Sequence, residues 1–121
     1  MSTILVADDN AMIRFALRAQ LESLSIDILE AADGQTALDL ARAAHPRVAV
    51  LDCALPRVNG VEVCARLKAD PATADIRVAI LTASIDADVQ GYAFIAGAAC
   101  FLTKPWRLQE LRQQIGALLA D

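Results

Sequence analysis

Cysteine is scarce in this chain: Cys53, Cys64 and Cys100 are the only three among 121 residues. They are odd in number and none forms a C-x-x-C pair, so neither a disulfide framework nor a zinc site is indicated. Small, mostly buried thiols in a reducing compartment are the plain reading. Long apolar runs are absent too. The longest, Tyr92–Leu102, is too short to cross a bilayer. The first residues, MSTILVADD, carry no basic stretch of the kind that opens a signal peptide. Positive charge is not in excess either, since the formal net charge is −4. That leaves no electrostatic footprint for nucleic acid or anionic lipid, and any effect on transcription is expected to pass through another polypeptide. What the chain does have is 56% hydrophobic residues, which excludes a disordered tail. One soluble, cytoplasmic domain spanning residues 1–121 is expected, large enough to bury a core without staples.

Apolar runs of strand length alternate with segments of helical period. Ile4–Ala7 reads as a first strand, and Ile13, Leu17, Leu21 and Leu24 then form one helical stripe. Asp27–Ala31 is a second, weaker strand, and Asp33 caps a helix running to Ala44. Arg47–Leu51 is a third strand. A helix over Gly60–Ala69 ends at Asp70-Pro71, and Val78–Leu81 is strand four. A helix from about Asp86 stops at Gly97, Cys100–Leu102 is strand five, and the last helix carries Leu108, Leu111, Ile115 and Leu118 on one face. Strict alternation of five strands and five helices implies right-handed crossovers: an α/β, flavodoxin-like, doubly wound parallel sheet in the order 2-1-3-4-5.

In such a sheet ligands bind beyond the carboxyl ends of the strands. The residues there are Asp8 and Asp9 after strand one, Asp52 after strand three, Thr82 after strand four, and Thr103 and Lys104 after strand five. Three carboxylates at one rim repel, so they must share protons or hold a cation. Oxygen ligands without His or Cys suit Mg²⁺ rather than zinc. One such ion together with Lys104 balances three carboxylates in formal charge, and a carboxylate so neutralised can attack a phosphoryl group. The product would carry about two negative charges, a surplus that can draw in the Thr82 hydroxyl.

Four stretches resemble the receiver domain of two-component response regulators: VADDN at 6–10, VLDCALPRVNG at 50–60, ILTAS at 80–84 and GAACFLTKPW at 97–106. A lone Asp-Asp pair is a weak signal, because such a pair often only caps a helix. The specificity lies in four matches in order, each at a strand end, with Pro56 and Gly60 at the expected offsets after Asp52. The resemblance implies that Asp8 and Asp9 bind Mg²⁺, Asp9 the more directly. It implies that Asp52 accepts phosphate and that the backbone carbonyl of Ala54 also reaches the metal. Thr82 and Ala83 would meet the phosphoryl group with Lys104, Phe101 would report the switch by its rotamer, and the Lys104-Pro105 bond would be cis. A histidine kinase or histidine phosphotransfer protein would supply the phosphate. A protein target would read it on the face of helix four, strand five and helix five, with no direct part for nucleic acid or membrane.

Some positions depart from the family pattern. Leu55 stands for the usual methionine, a volume-conserving swap, and Trp106 for phenylalanine, with packing the expected role. Phe101 replaces the frequent tyrosine, and Ala54 offers no side-chain amide near the phosphate. Ala99 and Cys100 stand where winged-helix regulators carry acidic residues, which argues against that mode of output. His45 reads as a surface loop residue, Cys53 as an unactivated thiol, and Glu30 as part of a solvated edge. A stand-alone receiver of the chemotaxis or cell-cycle type is favoured by Met1, over a domain cut from a larger regulator or hybrid kinase. A haloacid-dehalogenase-type phosphohydrolase would need an aspartate where Ala54 stands. A receiver-like scaffold would not need the complete acidic set, and a flavodoxin-like cofactor binder would need a Gly-rich loop after strand one.

Overall fold

The computed structural model describes residues 2–24, 26–83 and 87–120. Five parallel strands, β1 (Thr3–Ala7), β2 (Asp27–Ala31), β3 (Val48–Asp52), β4 (Arg77–Thr82) and β5 (Cys100–Thr103), lie in the order β2-β1-β3-β4-β5. Between and after them run α1 (Ala11–Leu21), α2 (Gly34–Ala44), α3 (Gly60–Ala69), α4 (Ala87–Ala96) and α5 (Leu108–Leu119), with a short 3₁₀ turn over Glu22–Leu24. The expected fold class, strand order and helix count are those observed. The expected start of the fourth helix at Asp86, and Ser84 of the ILTAS stretch, lie outside the described residues.

Period-two alternation divides the sheet between two cores. Ile4, Val6, Val48, Val50, Ala79, Leu81 and Leu102 face α1 and α5, where they meet Leu17, Leu21, Leu111 and Ile115. Leu5, Ala7, Ala49, Leu51, Val78 and Ile80 face α2, α3 and α4, where they meet Leu38, Ala41, Val63, Leu67 and Ala93. Each fully buried Leu or Ile contributes about 1.5–3 kcal/mol, so both layers are needed to hold the sheet. Leu118 only lines the edge of the first core, and Leu108 is 39% exposed, because it opens α5 before the helix reaches the sheet.

Side-chain caps start three of the helices at the carboxyl edge of the sheet. Asn10 accepts from the N–H groups of Met12 and Ile13, Asp33 from Thr36, and Asn59 from Glu62. The Thr36 N–H bond holds the Asp33 carboxyl below its usual value. Gly97, at φ 104°, ends α4 in a conformation that a side chain would resist.

Candidate functional site

Asp52 closes β3 and Thr82 closes β4, each the last residue of its strand rather than the first beyond it. Asp8 and Asp9 follow β1, and Lys104 follows β5. The parallel register brings these ends to one rim, where carboxylate oxygens from Asp8, Asp9 and Asp52 lie within 4.8 Å of one another. Asp8 is fully buried, Asp52 and Thr82 nearly so, and Asp9 is exposed.

Asp8 is restrained at every polar atom. Its N–H donates to the Ala31 carbonyl at 3.1 Å, and its carbonyl accepts from the Arg14 guanidinium at 2.7 Å. Its Oδ1 accepts from the Asn10 N–H at 2.9 Å, and its Oδ2 from Lys104 Nζ at 2.7 Å. Lys104 Nζ also lies 3.4 Å from Asp52 Oδ2, while Asp52 Oδ1 accepts from the Ala54 N–H at 3.3 Å. One ammonium thus serves two buried carboxylates. Burial first, and the Asp8 charge second, raise the Asp52 carboxyl above its usual 3.8, and Ala54 and Lys104 offset only part of that. Burial also works against the Lys104 charge, yet the hydrogen bond to Asp8 and the charges of Asp52 and Asp8 outweigh it and hold the ammonium above its usual 10.5. The cluster offers hard oxygen donors and an unmet demand for positive charge. That donor set fits Mg²⁺.

The loop from Asp52 to α3 is folded tightly against its own strand. A Cβ at Gly60 would stand 2.2 Å from the Asp52 carbonyl oxygen, so only glycine allows this approach. The Gly60 N–H donates to the Cys53 carbonyl at 3.0 Å, and the Cys53 N–H to Leu81 at 2.8 Å. Gly34 plays the same part from α2. A Cβ there would lie 1.8 Å from the Val58 oxygen, and its N–H donates to Pro56 at 3.1 Å. Spacing after Asp52 flagged Gly60 in the sequence, but nothing flagged Gly34, which touches the loop only through tertiary structure.

On the α4 side, Thr82 shares strand parity with Val78 and Ile80, and Phe101 packs against the same core. Phe101 is half-buried and meets the exposed Phe94 edge-on at 4.5 Å and 89°. Ala83 is exposed beside Thr82, the Lys104 N–H donates to the Thr82 carbonyl at 2.8 Å, and Lys104-Pro105 is cis as expected. Trp106 packs on the α1–α5 core and donates its indole N–H to Gln20 Oε1 at 2.6 Å, which gives it the expected packing role. His45 is exposed beside Asp75, as a surface residue. Burial and then the Asp52 charge raise the Cys53 thiol, which is no activated nucleophile, and burial pushes Cys64 up to about 11. Glu30 differs from expectation: its carboxylate takes Arg14 at 3.2 Å and Arg18 at 2.8 Å, so the edge is paired rather than only solvated. The periodicity of α1 marked its buried stripe and gave no sign of these two arginines.

The doubly wound sheet thus carries its acidic rim at the carboxyl ends of the strands, where such sheets bind ligands. The family model of the response regulator receiver domain matches residues 4–116. The DNA-binding dual master transcriptional regulator RpaA of Synechocystis is 40% identical over 98% of this chain and 49% of its own length. The response regulator MprA of Mycolicibacterium vanbaalenii is 37% identical over 96% of this chain and 49% of its own. A crystal structure from Chloroflexus aurantiacus, of a protein assigned as a response regulator, superposes with a TM-score of 0.93. It is 30% identical and covers 99% of this chain and 98% of that one. This chain belongs to the response regulator receiver domain family, whose members typically accept phosphate. It spans about half the length of the curated relatives it matches. Among the described residues no helix is long and apolar enough to cross a membrane.

Proposed function

We propose that residues 1–121 form one cytoplasmic receiver domain in which Asp52 takes a phosphoryl group from a phosphohistidine on a histidine kinase or histidine phosphotransfer protein. The observation that carries this reading is the rim itself: Asp8, Asp9 and Asp52 gathered within 4.8 Å, with Lys104 against Asp8 and Asp52. In the transfer a carboxylate oxygen of Asp52 bonds to phosphorus as the phosphorus–nitrogen bond breaks, and the departing histidine keeps the electron pair. Asp8, Asp9, Asp52 and the Ala54 carbonyl would hold Mg²⁺, Asp9 more directly than Asp8. When bound, that ion supplies positive charge against the carboxylates and the phosphoryl oxygens. Lys104 Nζ, 3.4 Å from Asp52 Oδ2, is within reach of a phosphoryl oxygen attached there.

The Thr82 hydroxyl and the Ala83 N–H stand at the end of the neighbouring strand and donate to the other phosphoryl oxygens. Drawing Thr82 toward Asp52 opens space on the α4 side, into which Phe101 turns from its edge contact with Phe94. Because Phe101 and Lys104-Pro105 lie on this path, the face of α4, β5 and α5 changes with phosphorylation, and a protein target reads it there. A net charge of −4 favours protein partners over nucleic acid or an anionic membrane. The DNA binding in the name of the Synechocystis relative belongs to a protein about twice as long. The domain turns over no external substrate.

Intact-mass measurement tests this with acetyl phosphate and Mg²⁺, and with a phosphohistidine donor. Wild type gains one phosphoryl group and Asp52→Asn gains none. No gain from either donor overturns the proposal, as does steady turnover of an external phosphomonoester.

A further inference from the structure

Asp8 and Asp9 are neighbours in the chain, yet one is buried and the other exposed. The peptide between them is planar, so whatever holds the Asp8 carbonyl fixes the plane from which Asp9 departs. That holder is Arg14. Its NH1 donates to the Asp8 carbonyl at 2.7 Å, and its Nε to Glu30 Oε1 at 3.2 Å. Glu30 is itself fixed by Arg18, whose Nε reaches Oε2 at 2.9 Å and whose NH2 donates to the Ile28 carbonyl at 3.2 Å. The Arg14 side chain is only 19% exposed, so its fork is held from both ends. Partly exposed ion pairs of this kind add little stability, so a gain in stability explains the arrangement poorly. A charged donor on a main-chain oxygen does set direction.

We infer that Arg14 is a positioning residue for the metal site, anchoring the Asp8–Asp9 peptide from β2 so that the Asp9 carboxylate faces the rim. This rests on the reading that Asp8, Asp9 and Asp52 hold Mg²⁺. Calorimetric titration of the unphosphorylated protein with Mg²⁺ tests it directly. Arg14→Met weakens Mg²⁺ binding about tenfold, the loss usual when a residue that orients a ligand is removed. Phosphorylation of this variant by acetyl phosphate needs about tenfold more Mg²⁺ to reach half its maximal rate. Arg14→Lys, with one donor point instead of a fork, recovers only part of the affinity. Glu30→Gln, a milder change that keeps the fold should Arg14→Met disturb it, weakens Mg²⁺ in the same direction. Unchanged Mg²⁺ affinity in Arg14→Met or Glu30→Gln, with only a lower melting temperature, overturns the inference and leaves the site reading standing. A wild type that binds no Mg²⁺ overturns both.

Discussion

At the amino edge of the sheet, Arg77 donates to the carbonyls of Leu118 and Ala120 at the end of α5, and Lys68 donates to Ala74 and Ile76 at 2.9 and 2.6 Å. At the carboxyl edge, three aspartates crowd one lysine. The contrast follows from the winding. Helices run opposite to the strands, so their carbonyl ends lie at the amino edge and their N–H ends at the carboxyl edge. Cations at the first edge meet oxygens that need them, and that charge is locally settled. At the second edge the N-termini of α1, α2 and α3 are already served by Asn10, Asp33 and Asn59, so the buried carboxylates of Asp8 and Asp52 are not needed as their caps. Compensated charge marks the frame, and uncompensated charge marks the site.

Removing the cation that Asp8 and Asp52 share should break this contrast most severely. Lys104→Ala strips Asp8 and Asp52 of the cation they share, and loss of one partner from a buried pair costs about 3–5 kcal/mol. Urea unfolding in EDTA should show a loss of about that size, with millimolar Mg²⁺ restoring most of it. A deficit that Mg²⁺ leaves untouched would mean that Lys104 serves packing around Pro105 instead. Phosphorylation without a change in partner affinity is the functional counterpart.

The next effect is smaller and opposite in sign. Because burial and Asp8 raise the Asp52 carboxyl in the fold, its ionisation opposes folding. Wild type therefore loses stability as pH rises through that elevated value, whereas below the usual 3.8 the group is protonated in both states and the effect vanishes. Asp52→Asn should stabilise the metal-free protein at neutral pH, with the gain fading toward pH 3.5. With Mg²⁺ present the order should reverse, since the variant forfeits a ligand. A destabilised variant in EDTA at neutral pH would show that the Lys104 contact already outweighs the repulsion.

The same contrast explains what the sequence made legible. Strand ends are visible because apolar alternation stops at them, so the rim assembled from Asp8, Asp9, Asp52, Thr82 and Lys104 is legible in the sequence. The β2 and α3 boundaries agree to the residue, while β3 and β4 run one residue further and take Asp52 and Thr82 into the sheet. Ladder hydrogen bonds decide that, and side-chain pattern does not report them. Cross-element contacts were invisible for a similar reason. Gly34 against Val58, Arg14 against Glu30 and Trp106 against Gln20 join residues far apart in the chain, and no local period encodes such a meeting. Leu108 misled because helical spacing reports a face but not whether the first turn has reached the core.

The amino edge supplies the smallest and sharpest control. His45 ends α2 in the left-handed region, at φ 48° and ψ 61°, while its N–H donates to the Ala41 carbonyl. That conformation costs a side chain about 1–2 kcal/mol, and glycine escapes the cost. Glycine gives back about 0.4–1 kcal/mol through the freer unfolded chain. The exposed His45–Asp75 contact at 2.9 Å is worth little at neutral pH, so losing it changes the balance only slightly. His45→Gly should therefore gain about 0.5 kcal/mol, read as a rise of roughly 2 °C in melting temperature. Its rate of phosphorylation should match wild type, because His45 lies at the opposite edge of the sheet from the rim. A changed rate would show that the two edges are coupled through the sheet, and compensated charge would then no longer separate frame from site.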